Sequence, residues 1–423
     1  MRISAFCTAV LAYVLIGHPP AAVAQVDQQR AQEYFKEAQA LCERDGGRLW
    51  GVSLCGPMVI ADLKTHTLAT SQPAPDGPWP RVLGLGNAPI EWGGTTWVGF
   101  NWDFVASCTP RGRRELFIHE LFHRVQPGLG LMQLEAANEH VDTTDGRYWL
   151  RLEWRALARA LRESGAARAA TVRDALAFRQ ARRALYPGSE EGERRVEITE
   201  GLPHYTAVVV AAPSAADAIA SAVDQLTGTA AEMQESFLRT FPSTTIPAYG
   251  LLLDASSDGW RQRLRATDDL GTLVMNAFSV QPATDAVASA TRYGGAEIRA
   301  SEQKREQERQ ERLAELRRQF VDGPVLVIRG GGSTGSDSRG AVVIPGSGTV
   351  YFGPFKASGT WGTLEAERGV LVATDGVSRQ VSAPVRRDDG TFTGDGWTFK
   401  AAPGWVVREG PRRGDYEVVR QQP

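Results

Sequence analysis

Hydrophobic positions change their spacing along the chain, and these changes predict its secondary structure. Apolar residues recur at helical spacing over 28–42, alternate over 92–104, return to helical spacing between about 110 and 320, and alternate again over 323–423. Apolar residues three or four apart predict helices with one buried face, whereas alternation predicts half-buried strands. We therefore expect an α+β protein, mainly helical with a small N-terminal sheet, followed by a small all-β C-terminal domain.

The first 24 residues have the pattern of a signal peptide. Arg2 supplies a positive charge, the apolar run "AFCTAVLAYVLIG" follows, and the small residues "AVA" at 22–24 offer a cleavage site. The run is too short to span a bilayer, and no later segment is apolar enough to do so. We therefore expect a mature chain that is exported, to the periplasm or out of the cell, and that has no transmembrane segment.

Composition divides the rest of the chain into three parts. Residues 25–298 carry the helical patterns and the small sheet, as expected of one domain. Residues 299–322 mix positive and negative charges with few apolar positions, which is typical of a solvated helix that links two domains. Residues 323–423 are rich in Gly, Thr, Val and Trp, with turn sequences such as "RDDG" and "TGDG". This last pattern predicts a β-sandwich or a β-barrel.

Charge and cysteine content narrow the class of protein. Hydrophobic residues make up 42% of the chain and charged residues 23%, and the net charge is −2. Because basic residues are not in excess, we expect no nucleic-acid partner. Export permits disulfides, and Cys42 and Cys55 flank a turn sequence across which they can pair, leaving Cys108 over. The alternative, reduced and buried cysteines, is equally open at this point.

The stretch "RRELFIHELFHRVQP" carries the pattern of a metal site. The chain has six histidines, and His119 and His123 lie four residues apart in this predicted helix. Residues four apart lie on one face of a helix, so both imidazoles can bind one zinc ion. The side chain of Glu120 projects in a different direction from the two histidines and is not a ligand. It can still reach a water molecule bound to the metal and accept a proton from that water. We expect two metal ligands and a general base; the alternative is two histidines hydrogen-bonded within the core.

A catalytic zinc site needs a third protein ligand and keeps one open position. No histidine follows at the spacing of the metzincins, which excludes that class. Asp142 and Asp145 lie where a loop enters a helix, a place at which aspartate usually serves as a cap. Glu153 in "LRLEWRALARAL" and Glu200 in "ITEGLPHYT" both lie in helical context. The pattern of residues alone does not decide which of these two glutamates is the third ligand.

Taken together, "HELFHRVQ" and "ITEGLPHYT" resemble two motifs of the gluzincin metallopeptidases, the thermolysin and aminopeptidase superfamily. The second helix of that family carries the third zinc ligand in a pattern close to Asn-Glu-Gly-Phe-Ala-x-Tyr. The resemblance implies a zincin-like domain over residues 25–298, one zinc ion, and Glu200 as the third ligand. Glu153 resembles the Glu-x-x-Ala ligand helix of other gluzincins and stays the alternative. The glutamate that is not the ligand is expected to hydrogen-bond a ligand histidine.

The chain departs from the family's pattern around the second motif. Thr199 stands where the family has Asn, and Pro203 lacks a backbone N–H, which predicts a kink in the helix. The long separation of the two motifs requires an inserted helical hairpin, which the patterns predict on either side of Gly165.

Further expectations concern the substrate. Candidates for stabilising the oxyanion of the reaction are His204, Tyr205 and Tyr249. The predicted strand 92–104 precedes the zinc helix, where gluzincins place the edge strand that pairs with an extended substrate. The Gly-x-Met-Glu-Asn motif that holds a free amino terminus in the related aminopeptidases is missing from the sequence, which favours an endopeptidase.

The sequence thus predicts an exported zinc metallopeptidase that acts on a peptide or protein substrate. Two alternative functions, each from a different class of protein, are also consistent with the sequence. One is a cell-envelope binding protein with a structural zinc ion or an inactive site, which the additional β domain favours. The other is a zinc hydrolase that acts on non-peptide amides or esters.

Overall fold

The structure, a computed structural model, describes residues 25–134, 137–228, 236–238, 240–256, 259–336 and 340–421. The predicted signal peptide lies outside the described residues. The chain is an α+β protein that divides into two compact units, the first ending at Arg299 and the second beginning at Ala300. None of the helices in the described ranges combines the length and the hydropathy that crossing a bilayer requires.

The helices of the chain are labelled in order. They are α1 Gln28–Asp45, α2 Trp102–Ser107, α3 Pro110–Val125, α4 Thr144–Arg162, α5 Gly165–Leu185, α6 Ser189–Val196, α7 Leu202–Ala211, α8 Ala215–Thr227, α9 Phe241–Asp254, α10 Trp260–Arg263, α11 Leu270–Ala277, α12 Ala286–Ala290 and α13 Gly295–Arg317. Short 3₁₀ helices span Gln126–Leu129, Glu139–Asp142 and Thr291–Tyr293, and π turns span Glu197–Gly201 and Arg318–Asp322.

The first unit contains one small sheet. Its strands are β1 Met58–Asp62, β2 Thr67–Thr70, β3 Ala88–Trp92 and β4 Thr95–Asn101. They lie in the order β2-β1-β4-β3, with β1 and β4 parallel and the other neighbours antiparallel. One face of β1 and β4 joins the main core, through residues such as Ile60, Val98 and Phe100, and the other face packs in a separate apolar cluster.

The segment 92–104 is a hairpin and a helix, so its prediction as one strand is wrong. Trp92 pairs with Thr95, and the turn between them is formed by Gly93 and Gly94, both with positive φ. Two successive glycines of this kind form the tight turn that joins antiparallel strands. Beyond Asn101, whose side chain caps the next helix, the alternation of aromatic residues continues into α2. Alternation alone does not show where a strand ends.

The hairpin also changes which strand is at the edge of the sheet. β4 lies between β1 and β3, so the strand that precedes α2 and α3 is internal. The edge strand on this side is β3, which includes the exposed Ala88 and Glu91. The prediction that 92–104 forms the edge strand is therefore wrong, and among the described strands the edge on this side is β3.

Two long helices form the hairpin expected around Gly165. α4 and α5 pack along each other, and Gly165 at their junction has a positive φ of 55°. Across the junction, Arg168 donates to the carbonyl oxygens of Ala160 and Glu163. The predicted hairpin is confirmed. Along the chain, it lies between α3 and the segment that carries Glu200.

A disulfide joins Cys42 of α1 to Cys55, and Cys108 is free. The candidate pairing is thus confirmed. Arg124 of α3 donates to the carbonyl oxygen of Cys55 at 2.6 Å. The cross-linked loop therefore contacts the helix that carries both histidines of the metal-binding pattern.

The second unit is all-β beyond the end of α13, as predicted. Its strands are β5 Val325–Ile328, β6 Ser333–Ser336, β7 Val342–Ile344, β8 Gly348–Tyr351, β9 Phe355–Gly359, β10 Gly362–Ala366, β11 Val370–Ala373, β12 Arg379–Ser382, β13 Val385–Arg386, β14 Phe392–Gly394, β15 Trp397–Ala401, β16 Trp405–Glu409 and β17 Tyr416–Arg420. They form a six-stranded sheet, β13-β14-β15-β10-β9-β6, and a seven-stranded sheet, β16-β17-β5-β12-β11-β8-β7.

The two sheets of the second unit share one apolar core. Ile328 and Val381 come from the seven-stranded sheet, whereas Phe355, Leu364 and Phe399 come from the six-stranded sheet. Of the two predicted architectures, this packing is that of a sandwich. The charged segment 299–322 is helical, most of it in α13 and the rest in a π turn.

Candidate metal centre

Helix α3 places both histidines of the pattern on one face. The helix begins after Thr109, whose side chain accepts from the N–H of Gly112, and Pro110 occupies its first turn, where no N–H is needed. Its other side packs in the core through Phe117, Ile118, Leu121 and Phe122. The Nε2 atoms of His119 and His123 lie 3.0 Å apart, as the spacing predicts.

Glu200 lies on a π turn between α6 and α7. The turn spans Glu197–Gly201, and its bond runs from the N–H of Leu202 to the carbonyl oxygen of Glu197. Proline inside a helix removes one backbone bond, and its ring collides with the carbonyl four residues earlier. The distortion expected at Pro203 takes the form of this wider turn. π turns of this kind are frequent at functional sites.

The structure brings His119, His123 and Glu200 together. Glu200 Oε2 lies 3.6 Å from His119 Nε2 and 3.7 Å from His123 Nε2. Three ligand atoms bound tetrahedrally at about 2.0–2.1 Å are separated from one another by about 3.3–3.4 Å. The observed separations of 3.0, 3.6 and 3.7 Å fit that requirement. The three side chains can therefore hold a metal ion.

For His119 and Glu200, burial and charge favour the forms that bind a cation. Burial lowers the pKa of His119 to about 4, which keeps its imidazole neutral. Burial raises the pKa of Glu200, but the imidazoles of His119 and His123, whose Nε2 atoms lie 3.6 and 3.7 Å from its Oε2, outweigh burial and hold that pKa well below its usual range. A neutral imidazole and an ionised carboxylate are the forms that bind a metal. The side chain of Glu200 is still 29% exposed, so the group is reached from solvent.

Glu120 differs in its surroundings from the two histidines on α3. It is 7% exposed, and burial raises its pKa to about 7. Within the described part of the chain, no side chain hydrogen-bonds or ion-pairs with its carboxylate. A carboxylate with a pKa near neutrality that is not bonded to the protein can accept a proton and give it up again.

Gln126 is part of the site, although it is not among the residues that the sequence motifs predicted. It is fully buried, and its Oε1 lies 2.8 Å from Nδ1 of His123. Gln126 lies three residues after His123, the distance at which helical side chains share a face. A polar residue at that position in "HRVQ" is the feature that could have indicated it.

Glu153 lies elsewhere, in a buried ionic cluster. Its carboxylate accepts from Arg182 at 2.5 Å and from the Tyr249 hydroxyl at 2.8 Å. Its expected roles, as the alternative ligand or as a hydrogen-bond partner of a ligand histidine, are therefore both wrong. The physical reason is that two arginines of α5 face α4 at this point, and they take the carboxylate.

The two aspartates are also bonded elsewhere. Asp142 accepts from the N–H of Phe237 and from Ser236, while Asp145 pairs with Arg299. The N-cap of α4 is Thr143, whose side chain accepts from the N–H of Gly146. The expected capping role of aspartate at this helix start is thus performed by a threonine.

The three candidates for oxyanion stabilisation differ in their surroundings. Tyr205 donates its hydroxyl to Asp254, and Tyr249 donates to Glu153, so both hydroxyls are engaged within the core. The ring of His204 lies 5.9 Å from that of His119, centre to centre. Its Nε2 is 3.1 Å from Oε1 of Gln225. Of the three, His204 is the one beside a residue of the metal-binding group.

Comparison with protein-family models, with curated proteins and with solved structures found no match for this chain. The resemblance to gluzincins therefore stays a prediction from two short motifs. The function of the chain is therefore inferred from the geometry of the site.

Proposed function

We propose that this protein is an exported zinc metallopeptidase whose zinc ion is held by His119, His123 and Glu200. The observation that carries the proposal is the convergence of two imidazoles and one carboxylate, from a helix and a π turn far apart in sequence, at the spacing of a single ion. Two imidazoles and one carboxylate are the donor set of peptidase zinc sites.

The number of donors supports a catalytic role. Structural zinc is normally enclosed by four protein ligands, whereas catalytic zinc has three and an open position. Among the described residues, the His, Cys, Asp and Glu side chains that converge at this point are these three. The alternative of a binding protein with structural zinc is therefore less well supported.

Glu120 provides the second half of the proposed chemistry. Zinc in such a site supplies a Lewis acid that lowers the pKa of a water molecule towards neutrality and polarises a carbonyl oxygen. The carboxylate of Glu120 takes the proton of the attacking water and passes it to the leaving amine. Its pKa of about 7 suits both transfers. A site without such a base would bind metal and leave the substrate intact.

The free edge of β3 supports a peptide as the substrate. An extended peptide can add to an exposed sheet edge by main-chain hydrogen bonds. β3 leaves that edge open, and α3 packs against both β3 and β4. We propose that this edge holds the substrate next to the metal-binding group. The resemblance to gluzincins also implies that an edge strand holds the substrate. In the proposal that strand is β3, whereas the sequence had indicated 92–104.

The disulfide supports export. Disulfides form and persist in oxidising compartments such as the periplasm or the extracellular space. Cys42 and Cys55 are paired in the first unit. We propose that the protein folds and works outside the cytoplasm.

Metal analysis and hydrolysis assays together test the proposed function. Purified mature protein should contain about one zinc ion per chain and should cleave peptides from a mixed library. Chelation should abolish cleavage, and zinc should restore it. Folded protein that binds no zinc under metal-replete conditions would contradict the proposal, and cleavage of esters but not of peptides would favour the non-peptide hydrolase.

A further inference from the structure

Gln126 connects the two parts of the metal-binding group. Its Oε1 contacts Nδ1 of His123 at 2.8 Å. Its Nε2 donates to the carbonyl oxygens of Ile198 at 2.9 Å and Thr199 at 3.2 Å, and also to that of Leu131 at 3.2 Å. One fully buried amide thus bonds to a histidine of α3 and to the turn that carries Glu200.

The surroundings of Gln126 determine which way its amide points. Backbone carbonyl oxygens only accept hydrogen bonds, so the NH₂ group must face the three carbonyls. Oε1 is then left for His123, whose Nδ1 must carry the proton and donate it. In the neutral imidazole, Nε2 is consequently the nitrogen with the free lone pair. That atom is the one that faces His119 and Glu200.

Pro203 explains why a carbonyl of the turn needs a donor from outside the helix. In an α-helix the N–H of residue 203 would bond to the carbonyl of Thr199, and in a π turn it would bond to that of Ile198. Proline has no N–H, so neither bond can form. The π turn's own bond ends one residue earlier, at Leu202. Whichever of the two carbonyls the missing N–H would have served, Gln126 donates to it, because its Nε2 contacts both.

We propose that Gln126 is a positioning residue that fixes His123 and Glu200 relative to each other. It does so by replacing the donor that Pro203 lacks. The inference rests on the proposed zinc centre. It assigns Gln126 two separable tasks. Its oxygen fixes the tautomer and ring orientation of His123, and its nitrogen stabilises the turn on which Glu200 lies.

The first test removes both tasks with Gln126→Leu, a change of similar size. We expect zinc affinity, measured by competition with a chromophoric chelator, to fall about 10–100-fold, as is typical for partners of ligand histidines. We also expect a lower melting temperature in the metal-free protein, because buried carbonyls lose their donor. Ser289→Ala is the matched control, since it removes a buried hydrogen bond to Asp174 on α5. That control should lower stability alone.

A second change separates the two tasks. Pro203→Ala restores a backbone N–H at the position where the turn lacks one. In the double variant Gln126→Leu/Pro203→Ala, melting temperature should recover in part, while zinc affinity stays low because His123 is still unbonded. Full recovery of zinc affinity in the double variant would overturn the orienting role of the Gln126 oxygen.

A spectroscopic readout makes the test independent of the proposed function. In metal-free wild-type protein at alkaline pH, ¹⁵N NMR should show His123 with its proton on Nδ1, and Gln126→Leu should reduce that tautomer. An unchanged tautomer in the variant, or zinc affinity within twofold of wild type, would overturn the inference. Wild-type protein that shows the tautomer but binds no zinc would instead contradict the zinc centre and leave the role of Gln126 in orienting His123 intact.

Discussion

At the scale of single residues, three neighbours on α3 differ because the protein surrounds them differently. His119 and His123 point towards Glu200, at 3.6 and 3.7 Å from its Oε2. Glu120 has no such partner, and burial raises its pKa to about 7. The same turn of helix thereby supplies two donors and one carboxylate to which no described side chain is bonded.

This difference predicts that binding and chemistry are separable by mutation. Glu120→Gln should keep zinc and the fold but lose activity by about 10²–10⁴-fold, the usual size of a general-base effect. Zinc content, peptide hydrolysis and thermal melts measured on the same preparation check this. An active Glu120→Gln protein would exclude the proposed mechanism.

The matched variants for this experiment remove ligands. His123→Ala and Glu200→Ala each leave two ligands, and two ligands rarely hold zinc tightly. We expect both to lose zinc and activity together. Zinc retained at wild-type affinity by Glu200→Ala would show that another residue completes the site.

At the scale of elements, a buried ionic cluster joins α4, α5, α6 and the π turn. Arg179 binds Glu197 of the turn through both of its terminal nitrogens, at 2.6 Å each. Arg182 binds Glu153 at 2.5 Å and Glu193 at 2.8 Å. Removing one member of such a cluster leaves a buried charge without its partner, which is strongly destabilising. The cluster therefore holds the helical hairpin against the segment that carries Glu200.

We predict that Glu153→Gln destabilises the fold without touching the metal centre. Because Arg182 and Arg179 lose a buried counter-charge, the free energy of unfolding should fall by about 3–5 kcal/mol. Urea unfolding measures this loss, and zinc content of the folded protein should stay at one ion per chain. Glu91→Gln, at an exposed position on β3, is the control and should have little effect. Loss of zinc from folded Glu153→Gln protein would move the ligand to position 153.

Asp269 gives the same cluster a pH dependence. Burial would raise its pKa, but Arg179 and Arg183, at 3.0 and 2.9 Å, outweigh burial and hold the pKa well below its ordinary range. A carboxyl whose pKa is lowered on folding stabilises the protein above its unfolded-state pKa of about 4. That stabilisation is lost as the pH falls through the folded-state pKa.

Asp269→Asn should therefore cost stability at neutral pH and progressively less below about pH 4. Asparagine can still cap α11, where Asp269 now accepts from the N–H of Thr272 at 2.8 Å, so the change removes mainly the charge. We expect a loss of about 1–3 kcal/mol at pH 7, measured by urea unfolding across pH. Asp76→Asn, at an exposed position, serves as the comparison. A loss that is the same at pH 7 and below pH 4 would refute the charge-based explanation.

At the scale of the whole molecule, the disulfide closes a loop between α1 and the first sheet strand. Cys42 and Cys55 are separated by 13 positions, and the loop they close contacts α3 through Arg124. A cross-link of this length limits the freedom of the unfolded chain. The disulfide therefore affects the stability of the first unit. The loop that it closes contains none of the metal-binding residues.

Replacing both cysteines by serine should lower the free energy of unfolding by about 2–4 kcal/mol. Folded protein should still bind zinc, because the metal-binding group lies on other elements. Melting curves and zinc titration of this variant, next to Cys108→Ser, check the prediction. A double variant as stable as wild type would mean that the disulfide contributes nothing to the first unit.

Some features follow from the sequence because they depend on neighbours along the chain. The i, i+4 spacing of His119 and His123 places them on one helix face in any helix, and the apolar positions beside them orient that helix towards the core. The helical hairpin, the charged helix and the β-rich end follow from local periodicity in the same way. The α+β class was predictable for this reason.

Other features depend on which elements meet in space, and only the tertiary structure decided them. Glu153 and Glu200 both lie on helices, but α5 presents arginines to one and α3 presents histidines to the other. The position of the sheet edge depends on a two-glycine turn and on strand order. Gln126 gains its role from Pro203, far along the chain, whose missing N–H leaves a carbonyl of the turn for the Gln126 amide to bond. Periodicity shows which side chains are buried, whereas packing between distant segments determines which partner each buried polar group finds.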